Sequence, residues 1–184
     1  MRTLKFFSIF SILLLLCISC EKEVPSQIVF YSVDQLKKDL AVKVDKTDGN
    51  TIPVNSSSII NLKSSKVFED NIDLLKDVEV KELKFKIKNF KINQSLSTTT
   101  KISNIAVYVD EIKISEDDIK FDFLSLLTNG FNFEIDNEEV LSAISSKLLQ
   151  KKQVVVSYYS DAESDKLFNF DLEFSLTAKG TFID

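Results

Sequence analysis

Polar and apolar residues alternate most strictly over residues 78–92, VEVKELKFKIKNFKI, where Leu83, Phe85 and Ile87 interleave with Lys84, Lys86 and Lys88. A period of two sends successive side chains to opposite faces, so this segment reads as a strand with one buried and one wetted side. The alternation slips between Val80 and Leu83 and again between Ile87 and Phe90. Each slip predicts a bulge or a strand break. Residues 102–114, ISNIAVYVDEIKI, repeat the pattern through Ile105, Val107 and Val109, and 119–127 (IKFDFLSLL) and 131–135 (FNFEI) are further strand candidates. QIVFY at 27–31 and SIINL at 58–62 read as short strands, and QVVVSYYS at 153–160 as another. It is followed by an acidic loop, DAESD. The run KLFNFDLEFSLTAKGTF at 166–182 reads as a hairpin, with Phe168, Phe170, Leu172, Phe174 and Leu176 on one parity.

Helical spacing occurs in three places. Over residues 32–41, Ser32 and Gln35 are spaced as a capping box, with Val33, Leu36 and Leu40 on one helical face. Residues 66–77 place Phe68, Ile72 and Leu75 at helical intervals. The strongest pattern is DNEEVLSAISSKLLQKK at 136–152, where Asp136 and Glu139 form an N-terminal box and Val140, Leu141, Ile144 and Leu148 an apolar stripe. Glu138 at its start and Lys147, Lys151 and Lys152 at its end complement the helix dipole. DKTDGNTIP at 45–53 is turn chemistry. Many strands, few helices and no sustained βαβ alternation predict a mainly β fold: an antiparallel β-sandwich or partly closed barrel with one to three short helices.

The first 20 residues follow a different rule. Arg2 and Lys5 precede an apolar stretch at 6–18, FFSIFSILLLLCI, which has the charge order of a secretory signal. It is short of the roughly 20 residues that cross a bilayer as a helix. Ser19 and Cys20 stand at its end. The sequence Cys17-Ile18-Ser19-Cys20 resembles the lipobox of bacterial lipoproteins, although that family favours Leu where Cys17 stands. The resemblance implies cleavage between Ser19 and Cys20, diacylglycerol on the Cys20 thiol, and an amino terminus that can then be acylated. Glu21 and Glu23 resemble, loosely, the surface-export signal of Bacteroidota-type lipoproteins. They also fit a plain solvated tether, with Pro25 and Ser26 supplying stiffness and polarity. An ordinary signal peptide that leaves a free thiol is the alternative to lipidation. A zinc site on the two cysteines would lack ligands, because the chain has no His and no other Cys. The expected organisation is a signal peptide at 1–19, a lipidated tether at 20–27 and a single β-rich domain at 28–184. The domain as a whole resembles small envelope lipoproteins of unassigned function.

Loss of Met1 to Ser19 would remove two positive charges and no acid, so the formal net charge of −5 becomes −7. That balance disfavours nucleic acid, whose phosphates need clustered Lys and Arg. Three glycines are too few for a phosphate-cradling loop, and without His the usual general base is missing. No cofactor and no metal is expected.

Lys84, Lys86 and Lys88, extended by Lys81 and Lys91, form a row that could face an anion. The alternative is the wetted face of a half-buried strand whose lysines discourage edge-to-edge pairing. Asp161, Glu163 and Asp165, and Glu116, Asp117 and Asp118, lie in expected turns and lack the glycine and distal Glu of a calcium loop. Tyr108, Tyr158 and Tyr159 could stack a sugar, or simply fit a strand. Three functional readings stand at this point. The first is a non-catalytic module, anchored to the outer membrane through Cys20 and facing the cell surface or the periplasm, that binds or scaffolds an envelope protein or glycan. The second is a carrier that lines an apolar cavity with phenylalanines, and the third a glycan hydrolase using two carboxylates. A filled core, an open apolar cavity or a cleft with two convergent acids would separate them.

Overall fold

The computed structural model describes residues 27–92, 100–115 and 131–184. The expectations for Ser19, Cys20 and the rest of the signal and tether, for residues 119–127 and for Glu116, Asp117 and Asp118 fall outside these ranges. The fold is mainly β, an antiparallel sandwich of two four-stranded sheets. In chain order the strands are β1 (Val29–Val44), β2 (Ile52–Asn61), β3 (Leu75–Ile92), β4 (Lys101–Val109), β5 (Ile112–Lys113), β6 (Phe131–Ile135), β7 (Gln153–Glu163) and β8 (Phe168–Ile183). One sheet runs β1-β8-β3-β6, the other β2-β7-β4-β5. Among the described residues two α-helices accompany them, α1 (Lys66–Asp70) and α2 (Glu138–Lys151).

The parity rule explains the core. On β8 the even positions from Phe168 to Phe182 are buried and the odd positions largely carry polar side chains. On β3 the buried set changes from Val78 and Val80 to Leu83, Phe85 and Ile87. The change falls at a register shift between Val80 and Glu82, with another shift between Lys88 and Lys91, where the two slips in alternation predicted irregularities. Opposite them β7 contributes Val154, Val156 and Tyr158, and β4 Ile105, Val107 and Val109. The phenylalanines fill this layer by packing on one another: Phe85 lies between Phe133 and Phe174, with ring centres 5.2 and 6.1 Å away.

Four expectations are corrected. Residues 32–41 are not a helix but the middle of β1, paired with β8 in unbroken register from Val29–Ile183 to Val44–Phe168. Leu36 and Leu40 satisfy both a helical spacing and an even parity, and Val42 and Val44, buried on the same parity, belong only to the strand. The helix expected over 66–77 stops at Asp70, passes through a single 3-10 turn at Ile72–Leu74 and becomes β3 at Leu75. The expected hairpin at 166–182 is one continuous strand, β8. Gly180 lies within the strand between Ser32 and Val78 of the neighbouring strands. Finally, α2 begins one residue later than its expected box. Asn137 is the cap, its Oδ1 accepting from the Val140 amide at 3.1 Å.

Candidate functional site

The lysine row lies on the outer face of the first sheet, on a strand flanked by β8 along its length and by β6 from Leu83 to Ile87. Over that stretch β3 is interior to its sheet, so protection of a free edge does not explain the lysines. Register does. Lys86 stands opposite Glu173 of β8, and Lys84 opposite Glu134 of β6. Cross-strand neighbours on one face are close enough for their charges to meet.

Each of the three lysines is answered by a carboxylate. Lys84 lies 2.5 Å from Glu82 and 3.4 Å from Glu134, and Lys86 lies 2.9 Å from Glu173. Lys88 reaches Glu173 at 2.7 Å and Asp39 of β1 at 2.9 Å. Glu173 is the hub, and its side chain is only 14% exposed. Lys88, then Lys86, holds its carboxyl below the ordinary glutamate range. In return Glu173 and Asp39 raise the pKa of Lys88, and Glu82 raises that of Lys84. An anion arriving at this row would therefore have to displace a carboxylate. Of the extending lysines, Lys81 pairs with Glu79 at 2.5 Å and Lys91 stands opposite Asn169.

A concavity of about 640 Å³ opens between the start of β3 and α2. Asp77, Glu79 and Lys81 line one wall, and Glu138, Ser142, Ser145 and Leu149 the other. Here β3 has outrun β6, and the helix takes the place of a strand: Ser145 Oγ accepts the Val80 amide at 2.8 Å and donates to the Leu141 carbonyl at 2.7 Å. The bond to Lys81 lowers the Glu79 pKa. A general acid needs a shift in the opposite direction.

The remaining sequence candidates are dispersed. Asp161 and Glu163 are not in a loop but on β7, which runs to Glu163. Asp161 accepts from Asn104 Nδ2 at 2.6 Å, and Glu163 faces Lys101 at 3.7 Å. Asp165 follows in the short turn to β8. Among the described residues no group of three or more His, Cys, Asp or Glu side chains is placed to hold a metal ion. The tyrosines divide between faces. Tyr158 is in the core, edge-on to Phe170, and burial pushes its phenol up to about 12, the Ser160 hydroxyl only partly opposing this. Tyr108 and Tyr159 meet edge to face on the outside of the other sheet.

Among the described ion-paired acids, the least exposed is one that the sequence did not single out. Asp110, in the two-residue turn between β4 and β5, has a side chain only 5% exposed and a left-handed backbone, φ 51°. Its Oδ1 accepts the Val155 amide at 2.9 Å and its Oδ2 the Lys151 ammonium at 3.1 Å, tying the turn to β7 and to the end of α2. Burial raises its pKa, but the Val155 amide, Lys151 and Lys147 outweigh that and leave it lowered. A lowered pKa stabilises the fold above the unfolded value, about 3.9. The increment is lost as pH falls through the folded value. Asp110→Asn keeps the acceptor and suits the left-handed turn. It is expected to cost up to about 1 kcal/mol in urea melts at pH 7, because the lysines it loses are partly exposed. The difference from the wild type should shrink as pH falls below about 4.

No family model matches the chain, and no curated protein matches it. Among solved structures, one titled "Crystal structure of decameric BFDV Capsid Protein" is 14% identical, with a TM-score of 0.47, covering 82% of this chain and 99% of its own. Another, "Crystal structure of 60-mer BFDV Capsid Protein", is 13% identical, with a TM-score of 0.45, covering 83% and 94%. At these scores the likeness carries no argument about function.

Proposed function

We propose that the chain is an exported lipoprotein, held at the outer membrane by lipid on Cys20, whose β-sandwich is a non-catalytic module that binds or scaffolds an envelope protein or glycan. The observation that carries this reading is the order of residues at the start of the sequence: Arg2 and Lys5, an apolar run at 6–18, then Ser19 and Cys20. The described strands begin at Val29, nine residues beyond Cys20, which leaves room for a short tether. A non-catalytic module is favoured over an apolar carrier because the phenylalanines spend their surfaces on one another. It is favoured over a hydrolase because Glu79 and Glu173 are held ionised by lysines, with neither raised to act as an acid. The domain faces the cell surface or the periplasm, and nucleic acid is disfavoured by the net negative charge.

The test is acylation. Cells expressing the wild type and fed labelled palmitate should yield labelled protein that sediments with membranes. Cys20→Ala should carry no label and accumulate as an uncut precursor or in soluble form. Label on the Cys20→Ala protein, or none on the wild type, would overturn the reading.

A further inference from the structure

The outer face of the first sheet changes character at one end. From Gln35 to Lys43 the outward positions of β1 are polar apart from Ala41. Toward the start of the strand, Val29, Tyr31 and Val33 are 46, 63 and 60% exposed, and Ile28 just before them is 64% exposed. They stand beside Ile183, Thr181 and Lys179 of β8, and Lys179 Nζ lies 4.9 Å from the centre of the Tyr31 ring. β1 is also the edge strand of its sheet. Proteins blunt such edges with charge, proline or bulges. The later part of β1 does so with Lys37, Lys38 and Asp39, whereas residues 28–33, IVFYSV, carry no charge and no proline, and their register is unbroken. An exposed apolar edge of this kind marks a covered surface.

What covers it follows from the chain upstream, on the reading that Cys20 is lipidated. Ile28 is eight residues past Cys20, a span of at most about 29 Å when fully extended. Acyl chains sunk in a bilayer would keep this end of the sandwich closest to the headgroups. Tyrosine belongs in that layer, with its ring toward the acyl boundary and its hydroxyl in water, and a neighbouring lysine can reach lipid phosphate. We infer that Val29, Tyr31 and Val33 form a membrane-resting stripe, which seats the domain on the lipid surface that holds its anchor, with Lys179 directed at the phosphates. Two attachments then fix the tilt of the sandwich and turn the opposite end toward the partner.

The chain contains no tryptophan, so single indole reporters can be placed without background. The full-length gene would carry Tyr31→Trp, Val33→Trp as a second reporter of the same face, or Tyr159→Trp on the outer face of the other sheet as control. Each lipidated protein would be reconstituted into phosphatidylcholine vesicles with or without brominated acyl chains, and flotation measured on the same samples. Bromolipid should quench the Tyr31→Trp and Val33→Trp indoles by about half or more and leave Tyr159→Trp nearly unchanged. Flotation without quenching at positions 31 and 33 would overturn the stripe and leave the anchor standing. Failure of the wild type to float would overturn the anchor and the stripe together. Quench-resistant, blue-shifted emission that grows with protein-to-lipid ratio would assign the stripe to a second copy of the chain and overturn the membrane contact.

Discussion

Phe85→Ala is expected to lower the unfolding free energy by about 3–5 kcal/mol in urea melts, while Lys86→Ala next to it changes it by about 0.5 kcal/mol or less. Phe85 is 1% exposed and stands in register between Phe133 of β6 and Phe174 of β8, so its ring is the middle of a row that crosses three strands. Removing it deletes its contacts with Phe133 and Phe174 and leaves a void whose walls belong to separate strands, which cannot collapse inward together. A loss of that size is a large share of the roughly 5–15 kcal/mol that holds a typical domain. Lys86 points the other way. Its partner Glu173 keeps Lys88 when Lys86 is gone, so no carboxylate is stranded. The reverse ranking in the melts would mean that the faces of β3 are assigned the wrong way round.

Gly180→Ala is expected to destabilise the fold at a cost toward the upper end of about 1–3 kcal/mol. A Cβ at Gly180 would lie 2.7 Å from Cε2 and Cζ of Phe182 and 2.7 Å from Cε1 of Phe68. Both rings are fully buried, and Phe182 is stacked on Phe30, centres 5.0 Å apart at 12°, so neither can retreat. The glycine serves here as the seat of a folded-back aromatic ring, a pairing used in sheets to recover packing lost at glycine. Phe182→Leu in the same chain should restore part of the loss by removing the ring that the new methyl meets. If the double variant were no more stable than Gly180→Ala alone, crowding by Phe182 would not be the cause.

Several of these features were legible from the sequence, and the reasons differ. The slips in alternation on β3 forecast its irregularities because parity is a local property, visible within a few residues. The stripe of α2 was equally plain, and Ile144 and Leu148 are fully buried. In β1, Leu36 and Leu40 fit two periods at once, and the choice between them is made by β8, more than a hundred residues further along the chain. Nothing local tells a hairpin over 166–182 from the single strand β8, and the role of Gly180 in it is set by Phe68, more than a hundred residues away in sequence. Glu173 could not be picked out as the hub of the lysine face for the same reason, since Lys88 lies 85 residues from it. Asp110 carries a weak local signal, an acid in a two-residue turn, but its tie to Lys151 depends on how the helix docks.

The place of β8 also bears on how the molecule comes into being. It is the last of the described strands in chain order, yet it is interior to its sheet, with β1 on one side and β3 on the other. β1 and β3 have no pairing with each other, so the first sheet cannot assemble while β8 is still being made. Closing so long a loop before any contact rewards it is slow. If the chain is exported unfolded, as proposed above, this connectivity would act as a timer: translocation could begin at the amino terminus well before the sheet that would block it is able to form. Moving β8 ahead of β1 by circular permutation should therefore speed refolding in the test tube and slow export in the cell.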